Sequence, residues 1–371
     1  MKIRYFLVAS ALSFLSACGG DNTATSADTT STTINVFDGA AVGCSVTVSG
    51  VVASEIGDGA YSATGTFDDG VVIKATGCTD SDTELLLPDM FGVVQTGGGV
   101  VSPITTLIVQ SILASDPAAI SLSSDAIADA VAQIIANLGL TGYNPIDPTT
   151  ANYVAAAKAD TAGTGTEATA MRVAMAISTL LKGAEISVGT TDAGTMVMTI
   201  AQAIYESKSE LDLTKSTGIE ALLATAGTGA STSVSAALTV TATAVAPSVA
   251  MIINTTGAIT DAINVTTAIV TILNDATDTS ITDSTFSTQL TSAADTKAPV
   301  IALTGDNPMT IETGSSYSEP GTTVSDNVDT GLTATITGTV DAATVGSYKL
   351  SYNVTDTAGN QAVEITRTVN V

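Results

Sequence analysis

Residues 345–371 read VGSYKLSYNVTDTAGNQAVEITRTVNV, and within them Tyr348-Lys349-Leu350-Ser351-Tyr352-Asn353-Val354 alternates apolar and polar side chains without a break. A period of two places the apolar members on one face of a β-strand and the polar members on the other. Val363, Ile365, Val369 and Val371 repeat the pattern. Arg367 falls in their apolar phase, which requires either a bulge or a carboxylate partner. Upstream, the period-2 texture begins at Lys297-Ala298-Pro299, so residues 297–371 are read as a sandwich of short strands.

Before that point the period is helical. Ser102 is placed to cap and Pro103 to open a helix whose Ile104, Leu107, Ile108, Ser111 and Ile112 share one face. A second helix is marked by Ile127, Ala130, Val131, Ile134, Ile135 and Leu138. Ser123 or Ser124 caps it, Asp125 and Asp129 suit its N-terminal dipole, and Gly139 stops it. Val173, Ala174, Ile177, Leu180 and Leu181 form a further face, as do Val197, Ile200, Ala201, Ile204 and Tyr205. Residues 103–296 are therefore read as mainly helical. Residues 221–260 carry no charge, yet a membrane span is rejected. They are rich in Ala, Thr, Ser and Gly, Pro247 interrupts them, and they hold few of the Leu and none of the Phe that favour insertion. Small residues there suit close helix packing, although pattern alone leaves the fold of 225–295 open.

Residues 33–102 alternate short apolar runs with Gly and Asp turns: INVFDG, CSVTVSG, GAYSATGTF and VVIKATGC. This is the texture of a small β domain, with Phe67-Asp68-Asp69-Gly70 read as a hairpin turn. The expected fold class is multidomain α+β, with a β-sandwich-like N-terminal domain, a mainly helical middle and a C-terminal β-sandwich.

The N-terminus gives the compartment. Lys2 and Arg4 precede a short, mostly apolar segment from Phe6 to Phe14, followed by Leu15-Ser16-Ala17-Cys18-Gly19-Gly20. The apolar run is too short for a mature bilayer span and suits a cleaved signal of residues 1–17. Its ending resembles the bacterial lipobox. The resemblance implies cleavage before Cys18, lipidation of Cys18 and, with Gly19 rather than Asp behind it, export to the outer membrane. A plain signal peptide with an incidental Cys is the competing reading. Residues 18–32, almost free of apolar side chains, are read as the lipidated Cys and a flexible tether.

Composition narrows the function. Acidic residues outnumber Lys and Arg by 36 to 11, there is no His or Trp, and 45% of the chain is hydrophobic. The hydrophobic share supports packed cores. A net charge of −25 argues against nucleic acid, whose binding rests on Lys and Arg. Cleavage would remove Lys2 and Arg4 but no carboxylate, carrying the charge from −25 to −27. Such a surface repels anionic headgroups and attracts divalent cations, so membrane attachment would come from lipid. With Cys18 taken, Cys44 and Cys78 remain as an even pair in an oxidising compartment and are expected to form a disulfide. Two free thiols or a redox pair is the alternative, but there is no C-x-x-C spacing and no neighbouring base.

Two family resemblances follow. APVIALTGDNPMTIETGSSYSEPGTTVSDNVD (298–329) with 345–371 resembles a bacterial immunoglobulin-like domain of surface proteins, also found beside insecticidal crystal toxins. The resemblance implies an Ig-like sandwich used as a spacer or adhesive module, usually without catalysis. VFDGAAVGCSVTV, GAYSATG, VIKATGCTD and VVSPITTLIV look like a carboxypeptidase-regulatory-like, or transthyretin-like, β domain of bacterial surface proteins. Asn144-Pro145-Ile146-Asp147-Pro148 is similar to the helical region that follows such domains.

Catalytic signatures are missing: no G-x-S-x-G, S-x-x-K, Walker loop or dinucleotide-binding Gly pattern occurs, and without His the Ser-His-Asp class is closed. Carboxylate pairs could serve a glycosidase, but 36 acidic residues make chance pairs inevitable and no Trp is present to stack a sugar. Ca²⁺ is the one cofactor the residues suggest. Asp80-Ser81-Asp82-Thr83-Glu84 sets the carboxylates of Asp80, Asp82 and Glu84 at alternate positions, while Asp326, Asp329 and Asp356 are expected to meet at one end of the C-terminal sandwich. The competing reading is solvated turn residues, which Asp favours for local reasons.

The expected function is that of a non-enzymatic envelope lipoprotein, lipid-anchored in the outer membrane and surface-exposed. It would act in adhesion, coat formation or binding, with a surface polysaccharide or protein as partner. The alternatives are a periplasm-facing lipoprotein scaffolding an envelope complex and a calcium-dependent carbohydrate-binding module.

Overall fold

The computed structural model describes residues 30–38, 41–57, 59–84, 86–140, 149, 153–189, 192–276, 280–283 and 285–371. The signal peptide, Cys18, most of the tether and Asn144–Pro148 lie outside them. The molecule is mixed: sheets at the two ends, helices between.

The first sheet runs β1 (Ser31–Val36), β3 (Ser45–Val48), β4 (Val51–Val52), β5 (Ser54–Gly57), β6 (Ala60–Thr64), β7 (Val72–Thr76), β9 (Met90–Gln95) and β10 (Gly98–Val101), in the spatial order β4-β3-β7-β9-β10-β1-β6-β5. β1 thus begins two residues inside the expected tether. β4 and β5 are one stretch broken at Ala53: its first half pairs with β3 and its second with β6. The bend joins the two edges of the sheet, giving a barrel-like closure in place of the expected sandwich. Closure removes open edges, and Ile34, Val46, Tyr61, Ile73 and Met90 are buried inside it.

The hairpin expected at residues 67–70 does not form. β6 pairs with β1 and β5, whereas β7 pairs with β3 and β9, so the segment carries the chain between non-adjacent strands. Gly70 does have the positive φ of 88° that an Asp-Gly turn supplies. Its hydrogen bonds, however, go to Val94 and Leu122, and a Cβ there would lie 2.0 Å from the Leu122 carbonyl oxygen. Among the described residues, two-residue turns of this sheet lie at Ser49-Gly50, between β3 and β4, and at Thr96-Gly97, between β9 and β10. A minor pair, β2 (Ala41–Val42) with β8 (Thr79–Asp80), flanks the Cys44–Cys78 disulfide.

α1 (Pro103–Leu113) joins sheet to helices. Its start is a capping box: Thr105 N donates to Ser102 Oγ at 3.2 Å, and Ser102 N to Thr105 Oγ1 at 2.7 Å. The same hydroxyls stitch the helix to β9, with Thr105 Oγ1 donating to Phe91 O at 2.7 Å and Phe91 N to Thr106 Oγ1 at 2.9 Å. Ser123 caps α2 (Ser124–Asn137). α3 (Val154–Ala159) precedes α4 (Thr166–Val188), in which residues 170–181 are all buried. A helix apolar on every side belongs in the centre of a core, and α4 is ringed by α3, α5 (Ala193–Tyr205), α7 (Thr232–Ala244), α8 (Ala246–Ile253) and α9 (Ile259–Asp275). α6 (Ser216–Ala226) and α10 (Phe286–Ala294) complete the layer. Among the described residues no single helix is long and apolar enough to cross a membrane. α7 and α8 reach that length and composition together, but they meet at 55°.

The C-terminal module holds two sheets: β11 (Val300–Leu303) with β13 (Thr322–Ser325), and β12 (Met309–Thr310), β16 (Ile365–Asn370), β15 (Ser347–Asn353) and β14 (Thr335–Thr337) in the order β12-β16-β15-β14. Leu350, Tyr352 and Val354 face inward as the alternation requires. Val363 does not. It is 83% exposed while neighbouring Ala362 is buried, because the inward phase slips before β16 begins at Ile365. Arg367 keeps its inward position through a carboxylate partner, Glu319.

Candidate metal centre

Two turns at one end of the C-terminal module present three carboxylates. Asp326 follows β13, and its Oδ1 accepts the backbone N–H groups of Val328 at 3.0 Å and Asp329 at 2.8 Å. This is an Asx turn, the local geometry for which Asp is suited. Asp329 is held in turn by Thr357, which donates its N–H at 2.7 Å and its hydroxyl at 2.8 Å. Asp356 follows β15; Asn360 donates to it from the backbone at 2.7 Å and from Nδ2 at 2.9 Å.

A fourth carboxylate comes from outside the module. Asp295 is the C-cap of α10, and only 5% of it is exposed. Its Oδ1 accepts from Asn327 Nδ2 at 3.0 Å and from Lys297 N at 3.1 Å, while its main-chain O accepts from Asn360 Nδ2 at 3.0 Å. One ligand oxygen from each of Asp295, Asp326, Asp329 and Asp356 lies within 4.8 Å of the other three. The Oδ2 atoms of Asp295 and Asp326 are buried without a hydrogen-bond partner. Among the described residues no Lys or Arg pairs with any of the four.

Buried anionic oxygens this close repel one another unless a cation lies between them. Burial pushes the Asp326 carboxyl up, but the N–H groups of Asp329, Val328 and Asn327 outweigh it and hold Asp326 below the usual carboxylate range. Asp326 is therefore an anion through the neutral range. Four hard oxygen donors are the kind of ligand that Ca²⁺ takes; it accepts six to eight oxygens in irregular geometry, whereas Mg²⁺ demands a stricter octahedron.

The expected trio of Asp326, Asp329 and Asp356 is thus brought together. Asp295, which sequence reading left in the helical region, lies two residues before Lys297, where the period changes, and that adjacency was its one signal. Asp80, Asp82 and Glu84 are not gathered onto one centre. Asp80 is spent on its own turn, accepting from Asp82 N at 2.9 Å and Thr83 Oγ1 at 3.0 Å; Asp82 pairs with Lys158 at 2.6 Å; Glu84 donates its N–H to Asp80 O. Those are the roles of turn residues. Cys44 and Cys78 are bonded to each other.

Residues 301–371 fit the family model described as bacterial surface protein, Ig-like domain. No curated protein matches the chain.

Proposed function

We propose that this chain is a non-enzymatic cell-envelope lipoprotein, anchored through lipid on Cys18, that displays its Ig-like module for adhesion, coat formation or binding to a surface polysaccharide or protein. The observation that carries this reading is the match of residues 301–371 to a family of bacterial surface Ig-like domains. The lipobox-like Leu15-Ser16-Ala17-Cys18 supports it, because anchor and module then lie at opposite ends of the sequence. Ca²⁺ bound by Asp295, Asp326, Asp329 and Asp356 belongs to the same reading, supported by four converging carboxylates without a basic partner.

Protease shaving of intact cells that carry a C-terminally tagged chain tests the placement. Loss of the tag from unbroken cells is the expected result. Protection until the outer membrane is breached would replace display with a periplasm-facing scaffold. Titration calorimetry with millimolar Ca²⁺ tests the metal: binding heat is expected, and its absence would remove Ca²⁺ from the reading.

A further inference from the structure

The helical region and the Ig-like module have separate hydrophobic cores, and no helix makes extensive contact with strands β11–β16. Between them lies an open cleft of about 450 Å³ lined by polar side chains, among them Asn254, Asp261 and Asn327, together with apolar ones such as Met251 and Val265. Units joined without a large apolar interface move relative to one another by default. What crosses this joint is Asp295: it ends α10, and its side chain and main chain are held by Asn327 and Asn360 of the module.

The geometry points to a calcium latch, in which one Ca²⁺ shared by Asp295 of the connector and Asp326, Asp329 and Asp356 of the module fixes the Ig-like module on the helical region. This rests on reading the centre as a Ca²⁺ site and adds what the ion does there. The two oxygens of the connector carboxylate place it in the site. Its Oδ1 is already used by Asn327 and Lys297, and the remaining Oδ2 is buried and unpartnered although Asp295 is 5% exposed. Without the ion, four carboxylates within 4.8 Å repel and drive Asp295 away from the module. With it, the repulsion becomes shared coordination, and the connector 295–299 is pinned.

Lys297 is exposed within that connector and supplies its own reporter. The whole chain would be digested with a lysine-specific protease that needs no metal, in 1 mM Ca²⁺ and in chelator. The rate of cleavage after Lys297 is read from release of the fragment that begins at Ala298, and cleavage after the distant, exposed Lys215 serves as the control. The latch predicts at least a tenfold slowing after Lys297 in Ca²⁺, no change after Lys215, and at least tenfold weaker Ca²⁺ binding with loss of protection in Asp295→Asn. Binding heat without slowing, or an Asp295→Asn chain that binds and is protected as the parent is, would overturn the latch and leave the metal site standing. No binding heat in the parent would overturn both.

Discussion

Arg367 Nε lies 3.2 Å from Glu319 Oε1, and no part of the Arg367 side chain reaches solvent. The same Nε also meets Tyr352 Oη at 3.2 Å, Nη2 donates to Thr304 O at 2.6 Å, and Nη1 donates to Asp306 O. A buried ion pair is weak evidence of net stabilisation, but removing one partner strands the other, at about 3–5 kcal/mol. Arg367→Ala is therefore expected to destabilise the Ig-like module by that order, read from near-ultraviolet dichroism of its tyrosines during urea unfolding. An effect below about 1 kcal/mol would show that water replaces the guanidinium, which the enclosure forbids. Burial pushes Glu319 up, yet Tyr317, Tyr352, the Gly321 N–H and Arg367 together hold it below its ordinary value of 4.5. Its stabilising share is present above 4.5 and lost as pH falls through the lower folded value, so the module is expected to become acid-labile there.

The opposite dependence is built in between the barrel and the helices. Asp38 and Asp80 line one enclosed space with Thr83, Ser178 and Lys182, and Asp38 Oδ1 is buried without a partner. Burial, and then the charge of Asp80, push the Asp38 carboxyl well above its ordinary 3.8, against a hydrogen bond from Ser178; Asp82 adds to the rise. Burial likewise raises Asp80, against its hydrogen bonds to Asp82 N and Thr83 and the charge of Lys158. Lys182 turns instead to Glu185 at 3.4 Å. A carboxyl raised by folding binds its proton more tightly in the folded state. Its stabilising share is complete below 3.8 and is lost as pH rises through the folded value. Asp38→Asn is accordingly expected to melt at a higher temperature than the parent at pH 7.5, with the gap narrowing toward pH 4. A variant that melts lower at neutral pH would mean that Asp38 is needed as an anion.

Cys44 and Cys78 are 34 residues apart, and Cys78 is completely buried. Closing a loop of that length restricts the unfolded chain by about 3–4 kcal/mol in the chain-entropy account. Around the bridge, Ala41 pairs with Asp80, and Tyr61 Oη bonds Ala41 O at 3.1 Å and Cys44 N at 3.0 Å. The double replacement Cys44→Ala, Cys78→Ala should lower unfolding free energy by about 3–4 kcal/mol in urea titration. A loss under about 1 kcal/mol would assign this corner to the Tyr61 bonds rather than to the crosslink.

Local periodicity revealed the elements more readily than their partners. The alternation through Tyr348–Val354 placed Leu350 and Tyr352 inside, and the Ser102-Pro103 signal marked the start of α1 because a cap is settled within four residues. The turn at residues 67–70 misled because Asp-Gly specifies a positive φ, not which strand follows at hydrogen-bonding distance; that depends on β1 and β9, far off in sequence. Asp326 and Asp329 sit in one turn and read as a pair, whereas Asp295 belongs by pattern to a helix and joins them only through the three-dimensional path of the connector. Between residues 225 and 295 the abundance of Ala, Thr and Ser blurs the apolar stripe, since a small side chain fits a helix contact whether or not it is hydrophobic.

Gly183 carries that last point to a measurement. It lies on the central helix α4, and a Cβ built there would stand 2.7 Å from Val245 Cγ2 and 3.1 Å from Cγ1. Val245 marks the bend between α7 and α8 and is fully buried, and its β-branched side chain has few alternative rotamers in which to yield. On helix propensity alone Gly183→Ala would stabilise by up to about 1 kcal/mol. Overpacking of a filled core costs about 1–3 kcal/mol, so the net change is expected to be destabilising. Val245→Ala opens the space that the new methyl group needs. In the double variant the cost of Gly183→Ala should therefore disappear, and a double-mutant cycle in urea should return a coupling of about 1 kcal/mol or more. Additive effects, or a Gly183→Ala chain more stable than the parent, would show that α4 and the α7–α8 bend are not in close contact and that this glycine is not required for their approach.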